Sequence, residues 1–229
     1  MSKRPLTFAL LGLMIVPLLA FRFGGWAVVT VDDLPEYLVV GKPVALSFVV
    51  RQHGVTPLDG LKPMVSMKSG NEQTTALLAT HGSGRGQYVA MVTPPRTGEW
   101  SVKIESGFMN TVRTLLPIKA IAVGSAAPRA IADAERGHQL FVAKDCATCH
   151  MRGADGEQGT SLGPDLTGRR YPAEYVAKFL ADPESSPLSR NAKPNGVRMP
   201  KLDLKEREIA SLVAFLNSEG PVLGKAQGR

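Results

Sequence analysis

Cysteine is scarce in this chain of 229 residues, which contains two, Cys146 and Cys149. A small secreted domain that is held together by disulfides needs more cysteines at wider spacing, so a disulfide framework is excluded. The sulfur chemistry of the chain is therefore confined to one short segment.

Clustered basic residues and aromatic residues are also lacking. No run of Lys and Arg is longer than two, and Phe, Trp and Tyr make up 6% of the chain. Nucleic-acid-binding proteins usually show a basic stripe with interleaved aromatic side chains, so we expect no nucleic-acid partner. The net charge of +7 allows electrostatic steering of an acidic partner protein. The hydrophobic fraction of 44% is typical of globular proteins, and the length fits one or two domains.

The amino terminus combines a short basic segment with a long uncharged one. Lys3 and Arg4 precede residues 5–21, which contain no charged side chain. This pattern predicts either a cleaved signal peptide or an uncleaved membrane anchor over residues 1–23. Residues 18–20 (Leu-Leu-Ala) form a poor cleavage site, which slightly favours the anchor. Both alternatives place the rest of the chain on the periplasmic, extracytoplasmic side, and the anchor would tether it to the inner membrane.

Residues 24–123 contain short segments in which apolar and polar side chains alternate. In the clearest segment, Trp100, Val102 and Ile104 alternate with polar residues. Turn-forming residues separate the segments at intervals of about 8–12 residues, which is typical of a β-sandwich. We predict strands at residues 26–31, 44–51, 74–80, 87–92, 99–105 and 114–123.

Part of this region resembles a known family of β-sandwich domains. Tyr88, Pro95, Gly98 and Trp100 follow one another as an aromatic strand, a proline-containing corner and a Gly-x-Trp strand. This order is similar to that of the Ig-like sandwiches of the bacterial YtkA-like family. The resemblance implies an all-β Ig-like domain over residues 24–123, of a kind often found beside metal-handling or respiratory proteins. We expect this domain to act as a spacer or docking module.

Five methionine and histidine side chains in the same region are candidate metal ligands, because thioether sulfur and imidazole suit copper. Their spacing matches no metal-binding pattern, and methionine also fills gaps in hydrophobic cores. We therefore expect a structural role, and keep a copper-handling or assembly function as an alternative. The candidates are His53, Met64, Met67, His81 and Met91.

The two cysteines belong to the sequence Cys146-Ala147-Thr148-Cys149-His150, which is a C-x-x-C-H motif. This pattern is the attachment motif of c-type haem. One turn presents both thiols to the two vinyl groups of the porphyrin, and the histidine that follows can reach the iron. A thioredoxin-like redox pair would need a βαβ context, and a zinc site would need further nearby ligands; the sequence offers neither.

Amphipathic helices are predicted on both sides of the motif. Residues 130–144 have helical composition and contain Gly137. Residues 205–217 carry apolar side chains at helical spacing, and Asp203 is their predicted N-cap. A shorter helix is predicted over residues 172–181, which begin with a proline.

The motif, the flanking helices and a downstream Met-Pro pair at Met199 resemble the class I c-type cytochromes. The resemblance implies an all-α domain over residues 130–220 that carries one covalent haem c, with His150 and Met199 as the iron ligands. It also implies that the carbonyl of Pro164 orients the histidine, and that Gly137 allows the first helix to cross closely against the last one. Residues 221–229 would form a flexible tail.

Tyr171 is a candidate partner of a haem propionate, as is Arg170 before it. An exposed arginine or a turn tyrosine explains these two residues equally well. Residues 124–127 are small and are followed by Pro128, which predicts a linker over residues 124–129. An extended linker of this length would allow about 20 Å of movement, so the second domain could pivot.

These expectations describe a multidomain protein with an N-terminal export or anchor helix, an Ig-like sandwich and a class I cytochrome c domain. The expected function is extracytoplasmic one-electron transfer, without enzymatic activity, because both iron positions are filled by the chain. The expected partners are redox proteins, such as a membrane oxidase, and the membrane itself. The alternatives are a haem enzyme or gas sensor with a displaceable Met199, and the copper-handling function.

Overall fold

The computed structural model describes residues 25–156, 162–185 and 198–218. The predicted signal or anchor over residues 1–23 and the predicted tail over residues 221–229 lie outside these ranges and stay predictions. Within the described ranges, no helix combines the length and hydrophobicity needed to cross a bilayer. The described residues form a β domain followed by a helical domain.

Twelve strands make up the described part of the β domain, and they form two sheets. They are β1 (Ala27–Val31), β2 (Leu38–Val39), β3 (Val44–Gln52), β4 (Thr56–Pro57), β5 (Met64–Ser69), β6 (Glu72–Gln73), β7 (Leu77–Leu78), β8 (Thr80–His81), β9 (Gln87–Val92), β10 (Gly98–Glu105), β11 (Val112–Thr114) and β12 (Ile118–Ile121).

The first sheet has the order β1-β3-β9-β8, with β4 paired to β3, and all of these pairings are antiparallel. The second sheet has the order β2-β12-β10-β5-β6, with β11 paired to β10 and β7 paired to β5. Phe48 lies opposite Tyr88 in the first sheet, and Val102 lies opposite Met67 in the second. The pairing of β2 with β12 is parallel.

The buried faces of the two sheets share one hydrophobic core. Leu46 and Phe48 are buried in the first sheet, while Trp100, Val102 and Ile104 are buried in the second. Successive side chains of a strand point to opposite faces, so the alternation in the sequence becomes one buried face for each sheet. A two-layered β domain therefore matches the sequence prediction, while its Ig-like and YtkA-like classification stays a prediction.

The predicted strands agree with the structure within one residue at β1, β3, β9 and β10. Strand β5 was missed, because Val65, Ser66 and Met67 are all buried and the sequence there does not alternate. The strand predicted at residues 74–80 is broken into separate short strands. The strand predicted at residues 114–123 is interrupted near Pro117, which cannot donate a ladder hydrogen bond.

Three helices form the described part of the second domain: α1 (Asp133–Ala143), α2 (Ala173–Ala181) and α3 (Glu206–Asn217). Helices α1 and α3 cross at Gly137. A Cβ atom on this residue would lie 2.0 Å from the carbonyl oxygen of Ser211 and 2.6 Å from Cβ of Phe215. The crossing therefore requires a residue without a side chain, as the sequence predicts.

The predicted N-cap of the last helix is wrong. Lys205 is extended immediately before α3, whereas Asp203 lies further from the helix and has a left-handed φ of +48°. The side chain of Glu208 accepts a hydrogen bond from the Lys205 backbone N–H at 3.0 Å. This bond satisfies an amide at the helix start that has no partner within the helix.

The two domains contact each other along the segment that follows β1. Arg136 of α1 donates a hydrogen bond to the carbonyl oxygen of Leu34. Lys144, directly after α1, donates to the carbonyl oxygen of Asp32 at 2.7 Å and pairs with Glu208 of α3 at 2.8 Å. Both basic side chains belong to the helical domain, so α1 and α3 are joined to the β domain.

In the predicted linker, residues 124–127 and Arg129 are exposed and Pro128 is partly buried. The bounds of the linker stay a prediction. The interdomain contacts oppose the pivoting that the linker composition suggests. Contacts between the surfaces of the two domains, and not the linker, hold the domains against each other.

Substitution of Gly137 by alanine tests the helix crossing. Because the new methyl group would meet a backbone carbonyl, we expect G137A to lower the free energy of unfolding by about 2–4 kcal/mol. The measurement is urea unfolding of the full chain, followed by circular dichroism.

The matched control is E135A, at an exposed position of the same helix. We expect it to change the free energy of unfolding by less than about 0.5 kcal/mol. Equal stability of the G137A and E135A proteins would contradict the close crossing of α1 and α3.

Candidate functional site

A cavity of about 340 Å³ is lined mainly by the helical domain, and most of its wall is apolar. All three helices contribute to the wall, among other residues through Phe141, Val176 and Leu212. The six site residues named from the sequence come from separate segments of the chain, and the structure places all of them on this wall. They are Cys146, Cys149, His150, Pro164, Tyr171 and Met199.

The two cysteines lie on one tight turn that follows α1. Asp145 adopts a left-handed conformation with a φ of +61°, which ends the helix and starts a 3₁₀ turn over Cys146–Thr148. The carbonyl oxygen of Cys146 accepts hydrogen bonds from the backbone N–H groups of Cys149, at 3.1 Å, and His150, at 2.9 Å. These bonds bring both sulfur atoms and the imidazole to one cavity, as the C-x-x-C-H spacing predicts.

The imidazole of His150 is held by the loop that contains Pro164. Nδ1 of the ring lies 3.0 Å from the Pro164 carbonyl oxygen. A carbonyl oxygen only accepts hydrogen bonds, so Nδ1 carries the proton and Nε2 is free to bind a metal ion. Burial lowers the pKa of this histidine, and the bond to the carbonyl partly opposes that effect. The neutral imidazole is the form that binds metals.

Gly163 allows the loop to approach the ring. Its backbone N–H donates to the carbonyl oxygen of Cys149 at 2.8 Å. A Cβ atom on Gly163 would lie 2.4 Å from Cε1 of His150 and 2.5 Å from Nδ1. The loop therefore packs directly on the imidazole and fixes its orientation.

The cysteines are free thiols that are poorly suited to thiolate chemistry. Burial raises the pKa of Cys146 to about 12 and that of Cys149 to about 11, and the negative charge of Asp145 adds to both shifts. Reactive cysteine pairs of the thioredoxin type have lowered pKa values. The environment therefore argues against a dithiol redox pair, in agreement with the absence of a βαβ context.

Tyr171 and Met199 lie on other parts of the wall. The backbone N–H of Tyr171 donates to Oδ1 of Asn217 at 2.8 Å, and Nδ2 of Asn217 donates to the Tyr171 carbonyl oxygen at 2.9 Å. This pair of bonds ties the turn before α2 to the end of α3. Met199 is partly buried against the hydrophobic core. The contact of Tyr171 with a propionate stays a prediction.

The β domain also contributes to the cavity, which no pattern in the sequence indicated. Trp26, Val28, His53 and Gly54 all line the wall. They are about one hundred residues away from the C-x-x-C-H motif along the chain, and no spacing pattern connects them to it. Asp145 was missed too, although an acidic residue directly before the first cysteine was a visible signal.

The methionine and histidine residues considered as copper ligands have other surroundings. Met67 is buried in the β core, and Met91 is half exposed. His81 contacts Asp59 at 3.1 Å, and His53 lies on the cavity wall. In the described ranges, no group of three or more His, Cys, Asp or Glu side chains is arranged to hold a metal ion.

Comparison with known families assigns the helical domain. Residues 134–219 match the cytochrome c family, so this part of the chain is a c-type cytochrome domain. The match does not include the β domain. No curated protein sequence matches the chain.

Some solved structures show weak similarity to this chain. Trypsin-activated α2-macroglobulin from Escherichia coli is 14% identical with a TM-score of 0.35, over 45% of this chain and 7% of that one. A mutant α2-macroglobulin from Salmonella is 15% identical with a TM-score of 0.36, over 48% of this chain and 7% of that one. The CARDB domain of a Pyrococcus furiosus protein, in complex with di-metal ions, is 16% identical with a TM-score of 0.28, over 44% of this chain and 91% of that one.

The chain spans only 7% of the length of each of these α2-macroglobulins. All three similarities are too low to assign the β domain to a family.

The cytochrome c domain binds covalent haem c, and the residues of the cavity fit this group. Cys146 and Cys149 would form the two thioether bonds, and His150 offers an unprotonated Nε2 to the iron. Met199 adds a thioether sulfur to the lining of the same cavity. The apolar lining suits a porphyrin, which is itself largely apolar.

Substitution of Gly163 by alanine tests how the iron ligand is held. The added methyl group would displace the imidazole of His150 and break its bond to Pro164. We expect G163A to weaken the histidine–iron bond, which would be seen as a changed haem absorption spectrum of the purified protein.

The control is G168A, because a Cβ atom on Gly168 would meet nothing within 4 Å. Gly168 has a φ of +64°, so an alanine at this position also strains the backbone. The G168A variant therefore shows what backbone strain alone does to the haem spectrum. A G163A spectrum that equals the G168A spectrum would contradict the proposed packing of the loop on the ring.

Proposed function

We propose that this protein transfers single electrons outside the cytoplasm through its covalent haem c, as a carrier or as a subunit that feeds a membrane respiratory complex. One observation carries the proposal: the imidazole of His150 and the thioether of Met199 line the same cavity. When both iron ligands come from the chain, no coordination position is left for a substrate. This favours electron transfer over catalysis.

The residues of the cavity have separate tasks in this function. Cys146 and Cys149 hold the cofactor covalently, so that it does not dissociate between electron transfers. Pro164 keeps the Nδ1 proton of His150 in a hydrogen bond, which orients the ring and increases its strength as a ligand. The Met199 sulfur favours ferrous iron and raises the reduction potential. When bound, haem c supplies the one-electron exchange between ferric and ferrous iron.

The apolar wall contributes through solvation. Phe141, Val176 and Leu212 make the cavity wall apolar, and this low polarity would disfavour the additional charge of ferric iron. This effect raises the reduction potential of the haem, as the methionine ligand also does. Both effects support a centre that accepts and releases electrons in the range of reduction potentials used in respiration.

Two sequence features support the proposed location and partners. The basic start and the uncharged residues 5–21 are typical of export or anchoring. The net charge of +7 would steer an acidic redox partner towards the protein. A membrane oxidase or another respiratory electron-transfer complex fits both features.

The M199A variant tests the role of the methionine. Removal of the sulfur leaves one iron position without a ligand from the chain, so we expect a lower midpoint potential and rapid carbon monoxide binding by the reduced protein. Wild type should bind carbon monoxide slowly or not at all. The measurements are a potentiometric titration and stopped-flow absorption.

The control is M91A, because Met91 lies in the β domain and is 50% exposed. It should keep the wild-type potential and the resistance to carbon monoxide. Rapid carbon monoxide binding by wild type itself would instead support a gas sensor or enzyme with a displaceable methionine.

The mass of the protein from native membranes tests the proposed location. We expect the membrane fraction to contain the full chain plus one haem, with residues 1–23 retained as an anchor. A soluble protein that has lost this segment would establish a cleaved signal peptide. Recovery from the cytoplasm would contradict the proposed location.

A further inference from the structure

The β domain forms part of the haem cavity. Trp26, Val28 and Gly54 line the wall together with the iron ligands. Gly54 is buried, and a Cβ atom on it would lie 3.8 Å from Cγ of Pro200, the residue that follows Met199. The β domain therefore packs against the segment that carries the methionine ligand.

A buried carboxylate connects this domain to the cysteine turn. The side chain of Asp145 has no exposed surface. Its Oδ2 accepts a hydrogen bond from the backbone N–H of Val29 in β1 at 2.7 Å, and its Oδ1 accepts one from Oγ1 of Thr148 at 2.6 Å. Arg113 of β11 forms an ion pair with the same carboxylate.

The Arg113 side chain is positioned by both domains. It is 16% exposed, and one of its terminal nitrogen atoms donates to Oγ1 of Thr148 at 2.5 Å. Thr148 lies between the two cysteines of the motif. The guanidinium group of the β domain therefore reaches into the turn that holds the haem.

The charge of Asp145 acts on the haem site. Asp145 lines the cavity directly before Cys146, and its carboxylate accepts the hydrogen bond of Thr148, which lies between the two cysteines. Charges inside a protein are screened less than charges in water, so a carboxylate at this position acts strongly on a nearby iron centre. A negative charge stabilises ferric iron more than ferrous iron, and a paired cation opposes this effect.

We propose that the β domain is a component of the haem site, in which Arg113 sets the haem potential by neutralising Asp145 next to the cysteine turn. Arg113 is a positioning and electrostatic residue and does not contact the iron. The β domain, which we expected to act as a spacer or docking module, thus sets the reduction potential of the haem. The inference requires bound haem c, but it does not depend on the proposed partner or location.

The test compares midpoint potentials of full-length, haem-loaded variants. R113Q leaves the carboxylate without its cation, so we expect a lower potential. D145N leaves the cation without its carboxylate, so we expect a higher potential. Each shift should correspond to about a tenfold change in the ferrous-to-ferric ratio at a fixed electrode potential, which is about 59 mV for one electron.

Two further variants separate charge from fold. R113K keeps the positive charge and should keep a potential near that of wild type. In the double variant R113Q/D145N both charges are gone, so its potential should lie closer to wild type than that of either single variant. Haem content by mass and the absorption spectrum show that each variant is folded and loaded.

The matched control is K103Q, which removes a cation from an exposed ion pair with Glu105 in β10, the neighbour of β11. It should not shift the potential, because exposed pairs are strongly screened. The proposal is overturned if R113Q and D145N, both fully loaded with haem, have the same potential as K103Q. That result would leave the M199A test of electron transfer unaffected, so the failures of the two proposals can be distinguished.

Discussion

The close contact between α1 and α3 at Gly137 is the constraint on which the site depends. The turn with Cys146 and Cys149 follows α1 directly, so the direction of this helix sets where the thiols lie. Helix α3 provides Leu212 and other apolar residues of the cavity floor. A side chain at position 137 would separate the two helices and change the cavity between them. The close contact between the backbones of α1 and α3 therefore fixes the positions of the residues that would hold the haem.

The second constraint is electrostatic. Asp145 ends α1 in a left-handed conformation, satisfies an amide of the edge strand β1 and pairs with Arg113. A buried carboxylate is costly unless it is paired and hydrogen-bonded, so these contacts are required together. Asp145 therefore belongs both to the domain interface and to the turn that attaches the haem. The two domains are therefore connected at this residue by a hydrogen bond and by an ion pair.

The fold could be predicted where local pattern and burial agree. Trp100, Val102 and Ile104 alternate with polar residues, and their strand was found within one residue. Strand β5 was missed because it lies inside the second sheet and has consecutive buried residues, so the period of two is hidden. Asp203 was misplaced as an N-cap because short-range hydrogen bonding at a helix start depends on backbone angles that the sequence does not specify.

The sequence by itself determined the chemistry of the site, since covalent haem attachment and the histidine ligand depend on residues that are adjacent in the chain. Met199 and Pro164 could be added because the resemblance to the class I c-type cytochromes implies their roles. Only the tertiary structure decided that Trp26, Gly54 and Arg113 belong to the same site. These residues are distant in sequence and carry no periodic signal, and their approach results from the packing of the β domain against the helical domain.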